Sequence, residues 1–171
     1  AGHAGAGLVI QSDGEVRVSR LIIANGESSY LGAGVTINSG DATLQSVLIY
    51  GCESAAYGGG VYMGSTGKLD LYNVTITKNT ALYGSGVYSI PGSEVNLYNT
   101  IVAQNQASEV GTVTRDVELM GDYFLAYTVI GSAGSATDAA KLRAYSTNST
   151  IGYGFDNAVD PGFNSVANND F

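Results

Sequence analysis

Carboxylates, imidazoles, thiols and cations are the groups that could do chemistry on this 171-residue chain, and it holds 15 acidic and 7 basic side chains with one histidine and one cysteine. His3 and Cys52 stand alone, which excludes an intrachain disulfide and a zinc site of the usual His/Cys kind. Two close carboxylates could cut a glycosidic bond, and a carboxylate beside Arg or Lys could move a proton. No two acidic residues are adjacent, however, and Arg115-Asp116 with Asp122 is the nearest approach to such a set. None of the seven basic residues, Arg17, Arg20, Lys68, Lys78, Arg115, Lys141 and Arg143, is expected to share a column with a set of aspartates. No catalytic residue, metal or cofactor is therefore expected, and the Arg115 region reads as a solvated ion pair worth little.

Tyrosine is the other conspicuous side chain, with twelve copies and no tryptophan. Tyr62 and Tyr88 are 26 residues apart, as are Tyr72 and Tyr98, while Tyr30, Tyr57 and Tyr83 follow at 27 and 26. Rings spaced this way fall into outward ladders if the chain coils once per repeat. Such ladders could offer a platform to a polysaccharide or to a protein partner, since Tyr has an apolar face and a polar tip, or could simply hold adjacent coils together. Tyr62, Tyr72, Tyr88 and Tyr98 are the candidate ligand or partner surface.

The elements that must position these rings emerge from the same period. Gly5-Ala6-Gly7, Gly32-Ala33-Gly34, Gly58-Gly59-Gly60 and Gly84-Ser85-Gly86 recur at 27, 26 and 26. Val18, Leu44, Leu71, Leu97 and Leu125 keep step, as do Leu21/Val47/Val74/Thr100/Thr128 and Ile23/Ile49/Ile76/Val102/Ile130. Within one repeat the apolar residues alternate with period two: Val61 and Met63 flank Tyr62, Leu69 and Leu71 flank Asp70, Val74 and Ile76 flank Thr75. That pattern predicts three short strands per triangular coil. Stacked coils pair their strands in parallel and merge inward residues into one core, giving five coils a length on the order of 24 Å. Strands this short do not suit a membrane barrel, whose strands run ~9 to 11 residues.

These residues resemble the right-handed parallel β-helix of the pectate-lyase-like group. Gly58-Gly59-Gly60-Val61-Tyr62, Leu69-x-Leu71-x-Asn73-Val74-x-Ile76 and Asn79 look like repeats of secreted bacterial surface proteins. Ile76-x-x-Asn79 and Val102-x-x-Asn105 are similar to repeats of the polymorphic outer-membrane proteins, and Asp160-Pro161-Gly162-Phe163 with Asp170-Phe171 looks like the closing element of surface proteins with a choice-of-anchor domain. The resemblance covers about residues 5–131. It implies an all-β solenoid at the cell surface or outside the cell, with a structural or adhesive role. Enzymes of the group, lyases and hydrolases of polysaccharides, imply the competing reading. A self-stacking filament subunit is a third, suggested by abrupt ends and strand edges open to end-to-end or lateral association.

Net charge of -8 makes nucleic acid and anionic membrane surfaces unfavourable partners, and no apolar run is long enough to span a bilayer. Residues 1–131 are expected to form the coils and 132–171 an irregular segment, with a short helix over 137–145 capped by Thr137. On the third strand the solvent-facing positions are Ile22, Leu48, Thr75, Ile101 and Val129, four of them aliphatic. An exposed apolar stripe usually has a cover. The expected cover for Ile22, Leu48, Ile101 and Val129 is the segment from Ala133 onward, through Leu142, Tyr145, Ile151, Tyr153, Phe155 and Phe163, or else another chain.

Overall fold

The computed structural model describes residues 7–109 and 115–152. It is a parallel β-solenoid of about five turns, with every strand pair parallel. The first turn is one long strand, β1 (Leu8–Ala24), with the two-residue β2 (Glu27–Ser28); the second repeats it as β3 (Val35–Tyr50) and β4 (Glu53–Ser54). In the third turn the strands separate into β5 (Val61–Met63), β6 (Lys68–Tyr72), β7 (Thr75–Thr77) and β8 (Thr80–Ala81). The fourth has β9 (Val87–Ser89), β10 (Glu94–Tyr98), β11 (Ile101–Ala103) and β12 (Gln106–Ala107), and the fifth β13 (Val117–Leu119), β14 (Asp122–Ala126) and β15 (Val129–Ile130). Three strands per coil were expected, and a fourth of two residues is present in each of the first four. Its ladder β2-β4-β8-β12 forms a sheet of its own, from segments too short to show alternation.

The columns of the core follow the sequence period. Leu8, Val35, Val61, Val87 and Val117 stand in one register, Val18, Leu44, Leu71, Leu97 and Leu125 in another, and Ile23, Ile49, Ile76, Val102 and Ile130 in a third. From the second turn on these side chains are buried. Among the described residues the first turn has a neighbour on one side only, and its Leu8, Val16 and Val18 are half-buried and its Leu21 exposed.

Corners set the shape. Left-handed backbone recurs at Arg20, Ser46, Asn73, Asn99, Tyr127 and Asn148, between the second and third strands, and at Asn25, Gly51, Lys78 and Gln104 after the third. Glycine holds the last corner, at Gly32, Gly58 and Gly84. Two residues on, Gly34, Gly60 and Gly86 are required for a different reason: a Cβ there would stand 2.4–2.6 Å from the carbonyl oxygen of the next coil.

The last turn is different. After β15 the chain forms α1 (Ala136–Ala144), then β16 (Ser146–Thr147) on β14 and β17 (Thr150–Ile151) on β15. The 13-stranded sheet bends into three faces, a first sheet of the β5-β9-β13 ladder, a second of β6-β10-β14 and a third of β7-β11-β15. The helix occupies the place where a first-sheet strand would come, and buries Ala139 and Leu142 in the core. Its N-cap is Ser135 rather than Thr137: Ser135 is extended, and its Oγ accepts the Asp138 N–H at 3.1 Å. Thr137 lies inside the first turn, and the helix ends at Ala144 with Tyr145 as C-cap.

Candidate functional site

Two aromatic faces lie on the outside of the rod. On the first sheet Tyr62 and Tyr88 stack with ring centroids 5.7 Å apart and planes 8° from parallel. Tyr57 joins them, 4.8 Å from Tyr88, and also touches Tyr83 at 5.2 Å and Tyr30 at 6.1 Å. Two columns that are separate in sequence therefore merge into one patch of five rings. Burial raises the Tyr62 and Tyr88 hydroxyls above their ordinary value, with neighbouring tyrosines adding to the shift and Glu118 adding at Tyr88.

On the second sheet Tyr72 and Tyr98 stack at 4.7 Å and 8°, and Phe124 leans in from the neighbouring column, 6.0 Å from Tyr98. Beside the rings runs a polar band that sequence reading missed. Glu15, Asp41, Lys68, Glu94 and Asp122 stand in one outward register, with Arg17, Thr43, Asp70, Asn96 and Phe124 in the next. A basic residue thus does share a column with carboxylates. The spacing of 26, 27, 26 and 28 was the available signal, hidden because the column mixes both charge signs. Lys68 Nζ pairs with Asp70 at 3.0 Å, which holds the ammonium above its ordinary value, and Asn96 donates to Asp70 at 3.0 Å and to Glu94 at 2.7 Å. Arg17 pairs with Glu15 at 2.9 Å, and Thr43 donates to Glu15 at 3.0 Å; both lower the Glu15 carboxyl.

Inside the rod a polar ladder holds one corner. Asn79 Oδ1 accepts the Cys52 N–H at 2.9 Å and its amide donates to Asn105 Oδ1 at 2.9 Å; Asn105 in turn donates to Asp116 Oδ1 at 2.7 Å. Asp116 also accepts the Asn105 N–H at 2.8 Å and, on Oδ2, the Ser132 N–H at 2.6 Å. Burial pushes its carboxyl up to about 7 against the pull of these donors. Asp116, singled out as half of a surface ion pair, is instead 2% exposed and structural, while Arg115 pairs outward with Glu118 at 3.2 Å. Asp122 is on the second-sheet face, apart from both. Cys52 is buried, and burial raises its thiol.

The apolar stripe forms in register as Ile22, Leu48, Thr75, Ile101 and Val129. Ile22 is 64% exposed, and Leu48, Ile101 and Val129 are half-buried. The described residues named for its cover go elsewhere: Leu142 and Ile151 enter the core at the end of the rod, and Tyr145 is exposed with its ring 5.5 Å from Tyr123. Tyr153, Phe155 and Phe163, with the Asp160-Pro161-Gly162-Phe163 element and His3, lie outside the described residues.

Among the described residues no group of three or more His, Cys, Asp or Glu could hold a metal ion, and no helix is long and apolar enough to cross a membrane. The class defined by this geometry is a parallel β-solenoid with tyrosine-faced outer sheets. Comparison with family models, with curated proteins and with solved structures finds no match.

Proposed function

We propose that this chain is a non-catalytic structural and adhesive segment of an exported bacterial surface protein, a stiff spacer that presents aromatic faces. The observation that supports it is the pair of outward tyrosine rows, Tyr62/Tyr88 and Tyr72/Tyr98, each held within 8° of parallel by strands in register. Rings locked in this way lose little freedom on contact with a partner. The partners this reading favours are a polysaccharide or a cell-surface protein. Its test is binding of bead-immobilised full chain to cells, compared with a variant carrying Tyr→Ser at 62, 72, 88 and 98 whose fold is checked by circular dichroism. Adhesion by the parent and its loss in the folded variant support the reading, whereas equal adhesion of the two overturns it.

The polar band of the second sheet motivates one competing reading, a polysaccharide lyase or hydrolase. Glu15, Asp70 and Arg17 border one hollow there, so a carboxylate and a cation do face a common space. Incubation with acidic polysaccharides separates the two readings. Unsaturated products absorbing in the ultraviolet, or new reducing ends, would establish the enzyme.

A further inference from the structure

The Tyr72 row ends in a step. Along its column the outward residues are Ser19, Gln45, Tyr72, Tyr98 and Ala126, so side-chain size drops by one coil at Gln45. Tyr98 covers one face of the Tyr72 ring, at 4.7 Å and 8°. The opposite face looks over Gln45 into a hollow of about 320 Å³. Thr43 and Asp70 lie in the column beside it, Asn73 stands next to the ring, and the Glu15–Arg17 ion pair closes the far side. The shelf is about one strand spacing deep, ~4.8 Å, which suits the thickness of a single saturated ring.

We infer that this shelf is a subsite for one neutral pyranose of a glycan, an assignment that rests on the adhesive reading of the same sheet. A pyranose has an axial C–H face that packs on an aromatic ring, and hydroxyl pairs that donate to carboxylates and exchange hydrogen bonds with amides. The shelf holds these groups together: the Tyr72 face, the Glu15 and Asp70 carboxylates, and the Gln45 and Asn73 amides. Each carboxylate of the shelf already has its cation, Glu15 with Arg17 and Asp70 with Lys68, so no positive charge is left over for a uronic acid on a chain of net charge -8. The same balance makes a neutral hexose the better fit.

The test is a panel of neutral and uronic-acid oligosaccharides presented to the full chain, followed by titration of the best neutral glycan. Gln45→Tyr extends the ring row across the shelf and fills it, whereas Tyr145→Ala removes an exposed ring that packs on Tyr123, outside both tyrosine rows. Selection of neutral glycans is expected, with affinity falling about tenfold or more in Gln45→Tyr and in Tyr72→Ala and by less than about threefold in Tyr145→Ala. No glycan bound, a preference for uronic acids, or unchanged affinity in Gln45→Tyr overturns the subsite. Cell adhesion that persists in Gln45→Tyr and is lost in the Tyr→Ser variant at 62, 72, 88 and 98 would sink the subsite alone. Adhesion equal in the parent and that four-residue variant sinks the broader reading.

Discussion

Asp116 occupies the fifth position of a column that is otherwise glycine. Val35, Val61 and Val87 donate in turn to the carbonyls of Gly60, Gly86 and Asp116. A side chain fits there because it turns toward Asn105, where it ends the buried amide ladder. The ladder has a direction, each amide donating toward the C-terminal end, so its last member needs acceptors only, which a carboxylate supplies. Burial raises this carboxyl from 3.8 to about 7. Between those values the folded chain keeps a proton that the unfolded chain has released, so the group's contribution to stability falls as pH rises through the window and is level above it. Asp116→Asn removes that titration while placing an amide against the Ser132 N–H. Urea unfolding of both proteins at about pH 4 and about pH 8 is expected to show the parent losing on the order of 1 to 4 kcal/mol relative to the variant across this range. A constant difference would show that Asp116 is ionised throughout, held by its three N–H donors.

At the scale of the element, the corner between the second and third sheets is built almost without glycine. Asn is tolerated in left-handed backbone because its short side chain bonds locally, and Asn99 donates to Asn73 at 2.6 Å across two coils. Tyr127 adopts the same conformation with φ 53° and a ring that is 64% exposed. Tyr127→Asn is therefore expected to raise stability by about 1 kcal/mol, read as an increased urea midpoint at unchanged slope. No gain would mean that the ring makes a compensating contact. These corners also mark the limit of what the chain's periodicity reveals. Alternation and the ~26-residue period disclose the three long sheets and the inward columns, because each depends on side chains repeated in every turn. The two-residue fourth strands depend on backbone pairing alone, and Asp116 substitutes for glycine only where no ordinary coil follows. Helix α1 breaks the period itself, with Ser135 rather than Thr137 as cap because Ser135 is the last extended residue. On the outer faces the tyrosine rows are legible one by one; the contact between Tyr57 and Tyr88 that joins two of them depends on how far the rings lean across the corner.

Across the whole molecule, each coil touches only its neighbours, so stability is a sum of coil and interface terms and the two ends need not be equal. Among the described residues β1 pairs with β3 alone, and its inward Leu8, Val16 and Val18 are only half-buried. At the other end α1 inserts Ala139 and Leu142 into the core, and β16 and β17 cover the edges of β14 and β15. The central strands β6 and β10 have partners on both sides and fully buried Leu71 and Leu97 between them. Opening should then start at the first coil and travel inward, since each lost coil exposes the next edge. Hydrogen exchange is expected to rank β1 fastest, β14 and β15 slower, and β6 and β10 slowest, with Leu71→Ala accelerating exchange in both flanking coils. Equal protection from β1 to β15 would instead mean that the rod unfolds as a single unit, with coil-to-coil coupling strong enough to hide the open edge.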